Sequence, residues 1–349
     1  MKKVRIAING FGRIGRLFFR NIYEKKGFEV VAINDLGDIE NLAYLLKYDS
    51  VYRTYDKEVK FDRDPSASSG QVGSLIVDGK VVKIFSVKDP ATLPWADLEI
   101  DIAVESTGAF ESFEASAAHL KAGAKRVVIT APAKDEDRDD AKTVLAGVNE
   151  EEFKVCKITS NGSCTTNATY PAMVITHESI GIEKAFLATT HGYTATQNLV
   201  DGPTRGRDFR RGRAGAMNIS PSFTGAAISV TRAIKDLEGK FDGMAYRVPI
   251  IAGSLADITF VSKRNTTVEE VNEIFKKAAA SPRWEGIVRV TTDQIVSSDI
   301  IGDSYASIID LTYTKVVGGN LVKVLSWYDN EWGYVSTLMR HVAGVAEAL

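Results

Sequence analysis

Apolar residues in the first 130 positions fall in short blocks whose period switches between two and about 3.6. Residues 4–8 read as a short buried strand, 16–24 as a helix and 28–34 as a second strand. A helix is expected over 38–47, followed by irregular chain to Thr54. Residues 60–79, rich in Asp, Ser and Gly, read as strand edges around a surface loop. Strands are then expected over 80–85, 98–104 and 126–130, with a helix over 114–122. Strand and helix in alternation predict an α/β fold with a doubly wound parallel sheet.

The pattern changes after residue 164. Residues 167–176 suit a helix, and 185–190 and 254–262 suit strands. Thr267-Val-Glu-Glu270 has the form of a capping box and starts a helix through Ala280. Strands over 306–315 and 320–328 flank the turn Val316-Val-Gly-Gly-Asn320. Long, directly connected strands predict an α+β domain with a mixed, largely antiparallel sheet. The last segment, 334–349, is an amphipathic helix with Val335, Leu338, Met339, Val342 and Val345 on its apolar side. At 349 residues the chain has room for two cores. They are expected as domains 1–163 and 164–332, with the helix 333–349 at the end.

The turn between the first strand and helix carries the first candidate chemistry. Gly10, Gly12 and Gly15 make G-x-G-x-x-G directly after a strand, and Asp35 closes the second strand twenty residues past Gly15. Such glycines allow a tight turn, close approach of backbone to a pyrophosphate, and close helix–strand packing. The helix start offers backbone donors to the diphosphate. An acid at 35 accepts from a ribose diol and repels a 2′-phosphate, which favours NAD over NADP. Ligands of such sheets lie beyond the carboxyl ends of the strands, so Ser106, Thr107 and Thr130 fall on the cofactor side.

The second candidate is Cys164, in Ser163-Cys-Thr-Thr-Asn167 ahead of a helix. A helix N-terminus favours a thiolate, and this polar run argues against a structural core cysteine. The chain has four histidines. His119 and His341 are expected at the surface, and His177 follows the Cys164 helix. His191 ends a strand and opens a polar loop, which makes it the best partner for the thiol. The stretch Asp201-Gly-Pro-Thr-Arg-Gly-Arg-Asp-Phe-Arg-Arg-Gly-Arg213 is a basic loop, open to three readings: solvated or interface loop, phosphate attraction, or nucleic acid. Thr224 stands at a further helix start, an anion-friendly position.

Composition narrows these readings. A net charge of -2, with 25% charged residues, gives no pull toward nucleic acid or anionic membrane. Two cysteines without a framework spacing favour a reducing, cytoplasmic setting. Basic residues at the start lack an apolar segment behind them, and no apolar run reaches bilayer length.

Together these residues resemble one family, the phosphorylating glyceraldehyde-3-phosphate dehydrogenases. The carriers are Ile8-Asn-Gly-Phe-Gly-Arg-Ile-Gly-Arg16, Glu105-Ser-Thr-Gly108, Ser163-Cys-Thr-Thr-Asn167, Thr194-Ala-Thr-Gln197, Thr224-Gly-Ala-Ala227, Arg247-Val-Pro249 and Ser326-Trp-Tyr-Asp-Asn-Glu331, in order along almost the whole chain. The resemblance implies a Rossmann-type first domain, a catalytic and oligomerisation domain, and a terminal helix packed back on the first domain. It implies Cys164 as nucleophile and His191 as base, paired as ions. NAD would be held by Gly10, Gly12, Arg13, Ile14, Gly15 and Asp35, with Thr107 and Thr130 beside it and Asn330 orienting the carboxamide. Thr194, Thr196 and Arg247 would hold the phosphate of glyceraldehyde 3-phosphate. Ser163, Thr165, Thr224 and Gly225, with Arg211, would hold inorganic phosphate. No metal enters the scheme, and a cytoplasmic homotetramer with the basic loop at its centre is implied.

The chain departs from the family at Ala168, where a second cysteine is usual, and at Ile250-Ile-Ala-Gly253, after Arg-Val-Pro. The basic loop is slightly long, and residues 62–73 look like an insertion. Two rivals remain: an erythrose-4-phosphate dehydrogenase, which hands the thioester to water, and a non-catalytic dinucleotide- or RNA-binding module.

Overall fold

The computed structural model describes residues 3–64, 70–204 and 206–349. The middle of the 62–73 insertion, Arg205 of the basic loop, and Met1 and Lys2 lie outside the described residues. The chain divides into two compact units, Met1–Gly162 with Leu338–Leu349, and Ser163–Thr337.

The first unit is built on β1 (Val4–Asn9), α1 (Arg13–Ile22), β2 (Phe28–Asn34), α2 (Ile39–Lys47), β3 (Val59–Arg63), β4 (Gln71–Val77), β5 (Lys80–Phe85), β6 (Ile102–Glu105), α3 (Phe113–Ser116), α4 (Ala118–Lys121), β7 (Arg126–Ile129), β8 (Ala141–Thr143) and β9 (Ile158–Ser160). Among the described residues they form one sheet in the order β3-β4-β5-β2-β1-β6-β7-β9-β8. Pairing is parallel from β5 to β8, with β3 and β4 as an antiparallel edge. The central strands β1 and β6 are apolar and buried along most of their length, as parallel strands covered on both faces require.

Local chemistry moves several expected boundaries. The strand expected over 98–104 begins only at Ile102, because Leu98 and Glu99 lie in a turn and Glu99 adopts φ 45°. The helix expected over 114–122 breaks at Ala117 into α3 and α4. Strands β8 and β9, three residues each, are too short to show a period.

Two histidines overturn the surface expectation: His119 is 0% and His341 2% exposed. Each is held by a partner that a sequence does not display. Trp95 Nε1 donates to His119 Nδ1 at 3.0 Å, so the ring proton sits on Nε2, 3.0 Å from Glu105 Oε2. His341 Nε2 lies 2.6 Å from Thr159 Oγ1, and the ring meets Phe153 edge-on.

Burial pushes the His341 imidazole down to about 3, against about 6.5 in an unfolded chain. Its contribution to stability is therefore complete above about pH 6.5 and is lost as pH falls toward 3, with a slope of about 1.4 kcal/mol per pH unit. The urea midpoint of the wild type should fall between pH 6.5 and 4, and His341→Gln should flatten that fall. Equal pH slopes in the two proteins would remove His341 as a cause.

The second unit begins with α5 (Cys164–Ile180). It continues through β10 (Ile182–Gly192), β11 (Ser220–Phe223), α6 (Ala226–Ala233), β12 (Phe241–Val248), β13 (Ser254–Ser262), α7 (Val268–Ala279), β14 (Val288–Thr291), β15 (Ser307–Asp310), β16 (Lys315–Val317) and β17 (Leu321–Tyr328). The sheet runs β11-β12-β10-β13-β17-β15-β14, with β16 also paired to β17. It is mixed: β10/β12 and β14/β15 are parallel, the other pairs antiparallel.

The strand expected over 306–315 stops at Asp310. Its carboxylate accepts from Thr312 N and Oγ1, an Asx turn that bends the chain out of the sheet. The capping box at Thr267 is half made. Thr267 Oγ1 caps Glu270 N, but the Glu270 carboxylate is drawn to Arg264 and Thr266. The last helix, α8 (Trp332–Glu347), buries Val335, Leu338, Met339, Val342 and Val345 as its pattern predicts. No helix among the described residues is long and apolar enough to cross a membrane.

Candidate active site

In the first unit the glycine turn leaves β1 and enters α1. Gly10 has φ +93°, and a Cβ there would meet Thr107 N at 2.6 Å. A Cβ on Gly15 would meet Gly10 O at 2.1 Å. At Gly12, by contrast, a Cβ would find nothing within 4 Å, and Gly12 caps α1 without a side-chain bond. Two glycines therefore close the turn, and the third keeps clear the space over uncapped N–H groups that a diphosphate would enter. These residues fit a dinucleotide.

The groups around the turn are tightly tied. Asp35 Oδ2 accepts from Phe11 N at 2.6 Å and Oδ1 from Gly37 N at 2.8 Å, so the acid expected to meet a ribose also braces the glycine loop. A carboxylate oxygen has two acceptor sites, which leaves capacity for a diol. Arg13 pairs with Asp49. Ile14 follows it in the first turn of α1.

Glu105, at the end of β6, accepts from Thr107 N and hydroxyl through Oε1, and from Asn9 Nδ2 through Oε2. Asn9 Oδ1 in turn accepts from Asn34 Nδ2 at 2.7 Å. This buried network of Asn34, Asn9, Glu105, His119 and Trp95 links the strand ends beneath the turn, and sequence reasoning missed it. The polar residues ending three apolar strands were its only signal. Thr130 follows β7, its N–H donating to Glu105 O.

In the second unit Ser163 caps α5. Its Oγ accepts from Thr166 N at 3.0 Å and Thr166 Oγ1 accepts from Ser163 N at 3.1 Å, a complete capping box. Cys164 is thereby the first helical residue and half-buried. Its Sγ lies 3.4 Å from His191 Nε2, and His191, at the end of β10, is 3% exposed. In the parallel ladder of β10 and β12, His191 stands opposite Arg247. Arg247 Nη1 reaches His191 Nδ1 at 2.6 Å.

Burial and the Arg247 charge both bear on the expected ion pair of Cys164 and His191. Burial pushes the thiol up, against the opposing pull of Arg247 and of hydrogen bonds from Thr165 and backbone. Burial, then the charge of Arg247, push the imidazole down to about 3. An imidazolium here would face a guanidinium, so the nearby positive charge that favours a thiolate is that of Arg247.

The remaining candidates fall into separate clusters. Thr194 and Thr196 hydroxyls lie 3.0 Å apart, and Arg211 donates to Thr196 Oγ1 at 3.2 Å and to Ser222 Oγ at 3.1 Å. Arg211 thus stands beside the threonine pair and Ser222. Thr165 Oγ1 is 3.0 Å from Tyr328 OH, which also meets Thr189 Oγ1 at 2.8 Å. Thr224 Oγ1 caps Ala226 N beside Gly225, the N-cap of α6. Asn330 Oδ1 accepts from Ser254 Oγ, which itself accepts from Gly192 N.

Tyr328, Ser222 and Ser254 were not anticipated. Tyr328 was legible from the alternation of β17, which buries 322, 324, 326 and 328 on one face.

Comparison with known proteins decides the family. Residues 4–113 match the family described as glyceraldehyde 3-phosphate dehydrogenase, NAD binding domain, and residues 163–330 match its C-terminal domain. The chain belongs to the glyceraldehyde-3-phosphate dehydrogenase family. Similar relatives include glyceraldehyde-3-phosphate dehydrogenases of Thermotoga maritima, 50% identical over 95% of both chains, and of Clostridium pasteurianum, 46% identical over 96% of both. A yeast relative, glyceraldehyde-3-phosphate dehydrogenase 2 of Kluyveromyces marxianus, is 44% identical over 99% of both. The glycine turn lies within the family's first domain, and Cys164, His191 and Arg247 lie within its second.

Proposed function

We propose that the protein oxidises glyceraldehyde 3-phosphate with NAD and inorganic phosphate to 1,3-bisphosphoglycerate, the glycolytic reaction, through covalent intermediates on Cys164. One observation carries the site assignment: a thiol at the first position of a capped helix, 3.4 Å from a buried imidazole. The erythrose-4-phosphate alternative is not favoured.

Cys164 Sγ attacks the aldehyde carbon and forms a thiohemiacetal. His191 Nε2 takes the proton of the hemiacetal hydroxyl, a role worth about 10²–10⁴-fold. NAD, when bound, would supply the hydride acceptor. The resulting thioester retains the energy of oxidation, which an oxygen ester on serine would hold less well. A phosphate oxygen then attacks the thioester carbon, the C–S bond breaks, and Cys164 leaves as thiolate.

Substrate and attacking group each carry a phosphate, so two anion subsites are required. Thr194, Thr196 and Arg247 make the first. We add Arg211 to it, on the support of its bond to Thr196. Ser163, Thr165, Thr224 and Gly225 make the second, where backbone donors carry weight because the Ser163 hydroxyl caps α5. In the cofactor site, Gly10, Gly12, Arg13, Ile14, Gly15 and Asp35 hold NAD, Thr107 and Thr130 lie beside it, and Asn330 orients the carboxamide.

The assembly we infer is a cytoplasmic homotetramer, with domains near 1–163 and 164–332 and the terminal helix returned to the first. Leu199, Val200, Phe209, Met217, Ile219 and Phe223 are all strongly exposed around the basic loop, Met217 at 84%. A patch of this kind marks an interface between chains. That supports the interface reading of the basic loop over nucleic acid.

NADH absorbance tests the function. Formation from glyceraldehyde 3-phosphate should require inorganic phosphate. Phosphate-independent turnover of erythrose 4-phosphate in its place would support the sister enzyme, and no turnover would support a binding module.

A further inference from the structure

Glu105 is 2% exposed, and among the described residues no lysine or arginine pairs with it. Four donors hold its carboxylate instead. Oε1 accepts from the Thr107 N–H at 2.8 Å and from the Thr107 hydroxyl. Oε2 accepts from Asn9 Nδ2 at 2.5 Å and from His119 Nε2 at 3.0 Å. Asn9 Nδ2 and His119 Nε2 lie 3.4 Å apart, two donors converging on one oxygen. The histidine is committed to this role from its far side. Trp95 Nε1 only donates, so His119 Nδ1 is an acceptor and the single ring proton points at Glu105.

The other end of this chain of bonds reaches the surface at Thr107. Its hydroxyl proton goes to Glu105, so Oγ1 faces outward only as an acceptor. One lone pair takes Ala109 N at 3.0 Å, and the other is left for a ligand. The Thr107 backbone also lies against the glycine turn. A Cβ on Gly10 would meet Thr107 N at 2.6 Å, and Ser106 Oγ donates to Gly10 O at 2.7 Å. A shift of Thr107 is therefore a shift at the turn.

We propose that His119 is a positioning residue of the cofactor site, acting through Glu105 on Thr107. This rests on the reading of the glycine turn and Thr107 as the NAD site. With both Oε2 donors in place, the carboxylate is fixed in the orientation that meets both Thr107 donors. Thr107 Oγ1 is then held as an acceptor, a polarity that suits a ribose hydroxyl or an amide N–H of the dinucleotide. Without the His119 donor, a buried carboxylate lacks a partner, which is costly, and it turns to recover one. Thr107 then loses its fixed acceptor.

Calorimetric titration of the full-length protein with NAD tests this through two substitutions of one residue. Gln at 119 places an amide N–H where Nε2–H stood. Asn is shorter and reaches only the Nδ1 position, keeping the Trp95 bond and losing the Glu105 bond. Each loses one buried hydrogen bond, so both should melt below the wild type. His119→Gln should bind NAD within about threefold of the wild type, and His119→Asn roughly tenfold or more weakly. Equal NAD affinity in the two variants overturns the proposal. Thr107→Val, at an exposed position, keeps the test open if a histidine variant does not fold. It should also weaken NAD by roughly tenfold, and wild-type affinity there overturns the proposal. Adding His119→Asn to Thr107→Val should weaken NAD little further, whereas additive losses would mean that His119 does not act through Thr107. NAD binding by the wild type reports separately on the proposed function, so failure of that reading is distinguishable from failure of this one.

Discussion

Cys164→Ser should lower NADH formation by roughly 10⁴-fold or more while NAD affinity stays within about twofold of the wild type. The reason lies in the first turn of α5. The Ser163–Thr166 capping box does not use the side chain at 164, so serine there leaves the helix start intact. What is lost is a nucleophile that ionises far more readily than a hydroxyl and whose ester is a good acyl donor. Serine beside His191 would be far harder to ionise, and its ester less ready for phosphate attack. NAD affinity by calorimetry and turnover by absorbance separate the two effects. A large loss of NAD affinity in Cys164→Ser would argue that the thiol belongs to the cofactor site.

Gly15→Ala and Gly12→Ala should fail in different ways. A methyl at 15 meets Gly10 O at 2.1 Å and Ser106 Oγ at 3.1 Å, so the turn must open. Gly10 O is also the acceptor for Ser106 Oγ, and that bond would be disturbed with it. The expected cost is about 1–3 kcal/mol of stability, by analogy with overpacking, together with at least ~100-fold weaker NAD binding. At Gly12 nothing lies within 4 Å, so Gly12→Ala should melt within about 2 °C of the wild type. Its methyl would instead enter the space assigned to the diphosphate and weaken NAD. Thermal melting beside NAD titration checks the pair. A Gly12→Ala protein that binds NAD as the wild type does would place the diphosphate elsewhere.

Much of the first sheet was legible because its central strands are short apolar blocks bounded by polar residues. The glycine turn was legible for the same reason, since three glycines at fixed spacing after such a block serve few other purposes. Boundaries failed where a single residue overrode the pattern. Glu99 at positive φ shortens β6, and the Asx turn at Asp310 ends β15 early. Both are local backbone events that a hydrophobic period does not register.

The site divides along the same line. Cys164 at a helix start and His191 at a strand end are positions in secondary structure, so the sequence sufficed to nominate them. Their 3.4 Å contact, the pairing of His191 with Arg247 across β10 and β12, and the seat of Arg211 on Thr196 depend on which strands become neighbours.

Histidines 119 and 341 show the limit most plainly. Both lie in helical segments and were expected at the surface, yet both are buried, because Trp95, Glu105 and Thr159 supply hydrogen bonds from 24, 14 and 182 residues away. By itself the sequence determined which residue types are present, the order of strands and helices, and the turn that only glycine can make. Tertiary structure set the fields on the pair, since burial raises the Cys164 thiol and lowers the His191 imidazole while the Arg247 charge lowers both. Desolvation and Coulomb fields act through space, and a linear pattern carries no distances through space.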